Sequence, residues 1–542
     1  MVKQAREIIE VDAQRLEELL DRAESNTLRA DDTELLRKIF QSYTGFFRAV
    51  EDRKATLARL RKLLFGSTSE KAKDILGERD ESPPVATSDE SPDSAEEGED
   101  NKSKAGHGRR SAEDYPGADQ IAVDHPSLEA GDACPACEKG TLYEQTASVL
   151  VRFVGRSPIG ATVYRLEKLR CHLCGKIFTA PAPQGVNDDK YDHTVASMIG
   201  LMKYGSGLPF NRLERLQRNC EIPLPASSQW DIVHAASKLL QPAYEELIRQ
   251  AAQGEVLHND DTTVRILELM GKRLAKRQVT DDEASARTGL FTTGIVSTLE
   301  GIRIALFFSG RSHAGENLTE VLKHRVKELS APIQMSDGLS RNLPRALATI
   351  VANCLTHARR KFVDVVDRFS EECEYVIQAL KVVYRNDRVT RKKKLDADQR
   401  LAYHQQHSKP TMDGLKSWLE SQFADKHVEP NSALGEAISY MLKHWEPLTL
   451  FLRHPGAPLD NNICERALKK AIIHRKNSLF YRSSAGSLVG DMHMTLIYTC
   501  ELNGVDAFDY LNELQLNASS VANSPGDWMP WNYKERVETI MV

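Results

Sequence analysis

Three acidic residues stand far apart in this chain of 542 residues, each in a segment suited to hold it at the edge of a folded core. Asp260 lies in His258-Asn259-Asp260-Asp261-Thr262-Thr263-Val264, inside an apolar, β-branched run from Val256 to Leu267 that reads as a strand. Asp337 follows Ile333-Gln334-Met335-Ser336, the end of a second strand-like stretch, and precedes the turn-former Gly338. Glu465 falls in Leu459-Asp460-Asn461-Asn462-Ile463-Cys464-Glu465-Arg466, where a helix starts. Two carboxylates on strands and one on a helix, gathered by folding, make a hard all-oxygen site for Mg2+ or Mn2+. A pair of such ions suits in-line displacement at a phosphodiester, with Asp260 anchoring both and Asp337 and Glu465 each holding one. Taken singly, an Asp is more often a cap, a turn or a surface charge. Asp460 reads as the N-cap of the Glu465 helix, and strand alternation sends Asp261 to the face opposite Asp260.

Four cysteines carry a second metal pattern. Cys134-Pro135-Ala136-Cys137 and Cys171-His172-Leu173-Cys174 are two knuckles separated by β-rich sequence, with Val149 to Val154 and Thr162 to Leu169 as strand candidates. Four thiolates on two tight turns give one structural, tetrahedral Zn2+; the alternative is four unconnected buried cysteines. His172 is expected to face solvent, and Cys220, Cys354, Cys373, Cys464 and Cys500 to be buried apolar residues. Basic residues crowd the helix of Glu465: Arg466, Lys469, Lys470, Arg475 and Lys476, then Arg482. Arg359, Arg360 and Lys361 form a second cluster after His357, which is expected to be hydrogen-bonded within the fold. Charge of one sign on such segments suits contact with a phosphate backbone, against the plainer reading of a solvated surface.

In shared order along nearly the whole chain, these segments resemble the transposases of insertion sequence 66, whose members carry an aspartate–aspartate–glutamate (DDE) triad. The likeness runs through Leu64-Phe65-Gly66-Ser67-Thr68-Ser69-Glu70-Lys71, the two cysteine pairs and Lys203-Tyr204-Gly205-Ser206-Gly207-Leu208-Pro209-Phe210. It continues through Cys354-Leu355-Thr356-His357-Ala358-Arg359-Arg360-Lys361-Phe362, and from Asp460 through Arg475-Lys476-Asn477-Ser478-Leu479-Phe480 to Leu502-Asn503-Gly504. The family usually has Glu where Asp261 stands and Trp-Ala where Leu355-Thr356 stand. The resemblance implies a ribonuclease-H-like core, cleavage at the terminal repeats of an element and strand transfer into target DNA. It also implies accessory proteins encoded by the same element.

The elements that must position these groups can be read from pattern. Residues 1–77 are helical, and from Ile39 the positions Tyr43, Phe46, Val50, Arg53, Leu57, Leu60 and Leu64 recur at steps of four and three. That is the seam of a coiled coil, hence a homo-oligomer, unless it closes as a hairpin on its own chain. Residues 78–107 form an acidic disordered linker: Glu78 to Asp100 carries ten acids against Arg79. The net charge of −5 therefore conceals a remainder of +4 with basic clusters. Residues 108–183 form the zinc-binding module. Residues 190–252 are helical, either a helix-turn-helix or a plain connector, with Ser227 or Ser228 capping the helix through Trp230, Val233 and Leu240. Arg212, Arg215 and Arg218 share one helix face there.

The catalytic core reads as two parts, 253–370 and 451–515, interrupted by a helical insertion over 371–450 and followed by a C-terminal tail over 516–542. In the first part Phe291 to Thr298 and Ile302 to Phe308 are strands joined at Leu299-Glu300-Gly301 as a tight hairpin. Ile350 to Cys354 is a further strand, leading into a helix from His357 to Phe369. The fold class expected is multidomain α+β: coiled coil, zinc module, helical DNA-binding-like region and a mixed α/β core with an insertion. No apolar run reaches the roughly 20 residues that span a bilayer, and the N-terminus is not a signal peptide. Nine cysteines, four of them in Cys-x-x-Cys pairs, suit a reducing, cytoplasmic setting. The function expected is that of a DNA transposase. The alternatives are a noncatalytic DNA-binding or assembly protein, and a metal-dependent nuclease without strand transfer.

Overall fold

A computed structural model describes residues 122, 125–133, 135–136, 139–143, 156–170, 172, 174, 176–184, 189–270, 288–345 and 347–541. The expected coiled coil and acidic linker lie outside the described residues, as do Cys134, Cys137 and Cys171. The described residues group into two compact units. One comprises 359–389 and 410–438; the other comprises the remainder, with 390–409 and 439–541.

Among the described residues the first paired strands are a small antiparallel pair, β1 (Lys168–Arg170) and β2 (Ile177–Thr179). The strand expected over Thr162 to Leu169 is mostly irregular, because only its last residues find a partner in β2. Then come α1 (His193–Gly200), capped by the Asp192 side chain on the Thr194 and Val195 amides, and a π-helical turn, Leu201–Gly205. Next are α2 (Phe210–Asn219) and the long α3 (Ala226–Ala251). Arg212, Arg215 and Arg218 are all exposed on α2, as the spacing required. The cap of α3 is Pro225, not Ser227 or Ser228. Proline loses nothing at a helix start, where its missing N–H would have no partner.

Five strands form the central sheet: β3 (Val256–Thr263), β4 (Phe291–Leu299), β5 (Ile302–Gly310), β6 (Ile333–Ser336) and β7 (Ile350–Asn353). Their order is β5-β4-β3-β6-β7, a mixed sheet. β3, β4 and β5 pair antiparallel, while β6 runs parallel to β3 and β7 parallel to β6. The turn between β4 and β5 is the expected tight hairpin, and its loop is two residues long, since Leu299 pairs with Ile302. Glu300 and Gly301 both have positive φ, 49° and 87°, the backbone twist that joins right-twisted strands without splaying them. β3 ends at Thr263, short of the expected Leu267, because β4 begins opposite it at Phe291. Ile266 makes an isolated bridge to Tyr481 instead.

A helix, α4 (Ala314–Leu322), joins β5 to β6, and α5 (Leu355–Val363) follows β7, shorter than the helix expected to Phe369. After it come α6 (Ser370–Lys392), α7 (Ala397–His407), α8 (Lys409–Ala424) and α9 (Ala433–Lys443). Within the smaller unit, Val376, Leu380 and Val383 of α6 and Leu415 and Leu419 of α8 are buried, and Tyr375 packs on Trp418 at 4.5 Å. The larger unit closes with α10 (Asn462–Ser478), α11 (Ser484–Leu502), α12 (Ala507–Leu516) and α13 (Tyr533–Met541). Residues 516–541 bury Trp528, Met529 and Tyr533 in the same apolar core as Phe307. Cys354, Cys373, Cys464 and Cys500 are buried as expected, but Cys220 is exposed at the end of α2.

α11 explains how the sheet ends. It is buried from Val489 to Cys500, so it lies inside the core instead of on it. β5 is an edge strand, and its outward amides need partners. Asp491, Thr495, Thr499 and Asn503 supply them in turn, to Ser309 (2.6 Å), Phe307 (3.1 Å), Ala305 (3.1 Å) and Arg303 (3.1 Å). Four helical residues rise about 6 Å and two strand residues about 6.7 Å, so the two periods match for several steps.

Candidate active site

β3 presents Asp260 opposite Gly294 of β4. A side chain at Gly294 would stand 3.0 Å from Leu468 and 3.5 Å from Cys464 Sγ, so α10 approaches this strand pair closely only because residue 294 is glycine. Cys464 Sγ donates to the Gly294 carbonyl at 3.3 Å. Glu465, the next residue, sits in the first turn of α10 beside the strand that carries Asp260. β6 lies parallel on the other side of β3, with Met335 opposite His258. Two residues further along each chain stand Asp337 and Asp260, at the same level.

Asp260 feels the other two acids. Burial pushes the Asp260 carboxyl up to about 7; the Asp337 charge adds to this, and the Asp261 and Glu465 charges add further. Only the Asp261 amide, donating to Asp260 Oδ1 at 2.8 Å, pulls the other way. Negative groups crowded this way are relieved by a cation, and carboxylate oxygens suit Mg2+ or Mn2+. The donor type suits a hard divalent ion, but among the described residues the three ligand groups that lie within 4.8 Å of one another are Cys354, His357 and Glu465, not the three acids.

Asp337 is held from behind. Asp337 Oδ1 accepts from the Leu339 amide at 3.0 Å and from Asn342 Nδ2 at 2.7 Å, while Tyr440 donates its hydroxyl to the Asp337 carbonyl at 2.9 Å. The N-cap of α10 is Asn461, not Asp460; Asp460 Oδ1 instead accepts the Asn462 amide at 3.2 Å, as a turn residue. The Asn461 side chain is spent elsewhere. Its Nδ2 donates to the Asn259 carbonyl at 3.2 Å, and its Oδ1 lies 3.1 Å from His258 Nδ1. Asn461 Oδ1 must accept, and burial pushes His258 down to about 4. His258 is therefore neutral near pH 7 with its proton on Nδ1. Asn461 thus ties the start of the Glu465 helix to the strand of Asp260.

Asp261 faces away from Asp260, as alternation required. Its nearly inaccessible carboxylate meets His313 Nδ1 at 2.9 Å and Arg341 at 3.2 Å, and Phe291 packs on the His313 ring at 4.3 Å. On the opposite flank, the Leu355 amide donates to the Leu459 carbonyl at 3.0 Å, which seats the start of α5 beside the segment entering α10. His357 Nδ1 consequently lies 3.7 Å from Glu465 Oε1. Contrary to expectation, that nitrogen is buried and makes no hydrogen bond. Cys354, His357 and Glu465 offer three ligand atoms within 4.8 Å of one another.

The basic residues of α10 differ in state. Lys470 pairs with Glu501 at 2.8 Å and lies over the Tyr498 ring at 5.5 Å. Arg475 donates to Thr262 Oγ1 at 3.2 Å and to Thr263. Arg466, Lys469 and Lys476 are exposed. Arg359 and Arg360 are half-buried and Lys361 exposed on α5. At the cysteine pairs, β1 and β2 flank residues 171–174, and an antiparallel bridge between Ala133 and Thr141 flanks residues 134–137. Cys174 and His172 are both exposed.

Sequence reasoning did not find Asn461, His258, Asn342 or Tyr440. Asn461 and Asn462 were visible as polar residues at a helix start, but nothing local says that Asn461 reaches back across about 200 residues of chain to β3.

Residues 190–488 match the family model described as "Transposase IS66 family". Among relatives, uncharacterized protein y4hP of Sinorhizobium fredii is 28% identical over 452 residues, covering 77% of this chain and 76% of the relative. Uncharacterized protein y4jD of the same organism is 28% identical over 524 residues, covering 90% and 95%. A third, y4qI, is 30% identical over 350 residues, covering 62% and 61%. No solved structure matches the chain.

Proposed function

The chain belongs to the IS66 family of transposases, and we propose that it is a DDE transposase that cuts the ends of an insertion sequence and joins them to target DNA. The observation that carries this reading is the placement of the acids: Asp260 on β3, Asp337 at the same level just past the parallel strand β6, and Glu465 in the first turn of α10, which packs beside β3. The strand order, three antiparallel strands extended by two parallel ones, supports a ribonuclease-H-like core. When bound, two Mg2+ or Mn2+ ions would neutralise phosphate charge and activate the attacking oxygen. Asp260, Asp337 and Glu465 would hold them, and at Asp260 the cations would compete with a proton whose affinity is raised by burial and neighbouring negative charge. Asn342 and the Leu339 amide fix Asp337 through Oδ1. Asn461 fixes the helix that aims Glu465.

DNA is the partner of a transposase. Arg466, Lys469 and Lys476 are exposed cations on the Glu465 helix, suited to grip its phosphates. Lys470 and Arg475 mainly brace the helix, and Arg359, Arg360 and Lys361 form a separate basic cluster on α5. Cys134, Cys137, Cys171 and Cys174 hold one structural Zn2+, a reading supported by the hairpin-like pairing that flanks each knuckle. Self-association through the N-terminal heptads, accessory proteins from the same element and action on cytoplasmic DNA complete the proposal. No helix among the described residues is long and apolar enough to cross a membrane.

The test is incubation of the full chain with labelled element ends, a target plasmid and Mg2+. Both cut and joined products are expected. Cutting without joining would mark a nuclease, and DNA binding with neither product would mark a noncatalytic binder.

A further inference from the structure

Beside the three acids lies a donor set of different hardness. Cys354 follows β7, His357 stands in the first turn of α5 and Glu465 in the first turn of α10, so a thiol, an imidazole and a carboxylate converge within 4.8 Å. His357 Nδ1 and Glu465 Oε1 are 3.7 Å apart, too far to share a hydrogen bond, and both are buried atoms without one. Leaving two such atoms unsatisfied is unfavourable unless something else occupies the space between them. Two ligands on a tetrahedral ion with bonds of about 2.0–2.1 Å stand roughly 3.3 Å apart, so little movement is needed to place both on one ion. Cys354 Sγ is buried and accepts the Asn461 amide at 3.3 Å; the His357 amide also donates to it. Burial pushes the thiol up to about 11, so an ion must displace its proton, and two backbone donors aimed at the sulfur favour the thiolate that results. The side chains of His357 and Glu465 remain 24% and 27% exposed, which leaves an ion a route in from solvent.

We propose that Cys354, His357 and Glu465 bind one thiophilic divalent ion, Zn2+ foremost, with water in the fourth position, and that this ion restrains the enzyme by taking Glu465. Sulfur and imidazole select against Mg2+, which prefers oxygen and sheds water reluctantly. Zn2+ here and a hard ion at Asp260 therefore compete for one carboxylate. The site itself stands on its own geometry; the restraint rests on the transposase reading.

Cobalt reports both coordination and the sulfur ligand. The full chain, purified with its structural zinc, is titrated with Co2+ as wild type, Cys354→Ala and His357→Gln. Wild type is expected to take up one equivalent, with a thiolate-to-cobalt absorption band that Cys354→Ala lacks and an affinity that His357→Gln lowers by at least about tenfold. His357 is partly exposed, so its variant decides the matter if Cys354→Ala fails to fold. Identical spectra and affinities in wild type and the folded variants would overturn the site. In Mg2+-driven cleavage, with each protein scored against its own zinc-free rate, Cys354→Ala should need at least about tenfold more Zn2+ for half-inhibition. Equal zinc sensitivity would overturn the restraint. A protein that cleaves under no condition would count against the transposase reading, while the cobalt result would still decide the site.

Discussion

Asn461 Oδ1 lies 3.1 Å from His258 Nδ1, and this one buried bond spans the join between the helix of Glu465 and the strand of Asp260. With the Nδ2 bond to the Asn259 carbonyl, it fixes the register of α10 against β3 at the point where the acids meet. Neither group is charged near pH 7, so the tie costs no buried ion.

Asn461→Ala should therefore impair cleavage more than binding. Losing the side chain leaves His258 and the Asn259 carbonyl unpaired, at a cost of about 1–3 kcal/mol each. A shift of Glu465 by about 1 Å is enough to slow a positioned reaction by around a hundredfold. Rates measured on element ends should fall by at least about tenfold with DNA affinity nearly intact. An unchanged rate would mean that Cys464 and Leu468 alone seat the helix.

The stability of the core should depend on pH through Asp491. This carboxyl is buried beneath β5, where it accepts from the Ser309 amide and hydroxyl, and burial raises its pKa to about 7. A raised folded-state pKa means that the folded chain holds the proton more tightly than the unfolded one. The stabilisation is complete below the unfolded value near 4 and is lost as pH rises through about 7, at up to about 1.4 kcal/mol per pH unit. Asp491→Asn removes that dependence. Its melting temperature relative to wild type should rise between pH 5 and about 7 and level off above, and a constant difference would show that the group is ionised throughout.

The exposed and the braced cations of α10 should separate in a salt titration. Arg466→Ala or Lys476→Ala should weaken binding to element ends and unrelated duplex alike, and make the log–log salt slope shallower by roughly 0.7–0.9 for each phosphate left without its cation. Lys470→Ala should leave that slope unchanged and lower the melting temperature, because Lys470 is held by Glu501. A flattened slope in Lys470→Ala would show that the lysine leaves Glu501 for DNA.

Much of the sheet was legible because its signals are local. Leu299-Glu300-Gly301 between two apolar runs reads as a tight hairpin, and Asp337 before Gly338 marks a strand end. Strand alternation placed Asp261 on the far face, but not against His313 and Arg341, which come from segments 52 and 80 residues downstream. The cap of α3 was misplaced because serine is the better capping residue in general, while Pro225 already fixes the entering backbone. Cys220 was misjudged because its type is usually buried, whereas its position at the end of α2 leaves it in solvent. His357 looked like a satisfied core histidine; only the fold shows an unsatisfied nitrogen facing Glu465.

The claim on which the rest depends is that Asp260, Asp337 and Glu465 act together on bound cations. The most direct measurement is single-turnover cleavage of labelled element ends in Mg2+ and in Mn2+, for Asp260→Asn, Asp337→Asn and Glu465→Gln, with DNA affinity measured in parallel. Each amide keeps the shape of its acid and removes the charge that holds the ion, so all three should abolish cleavage in both metals while binding DNA as wild type does. Wild-type-like cleavage by any one of them would remove that residue from the site and contradict the shared-cation reading.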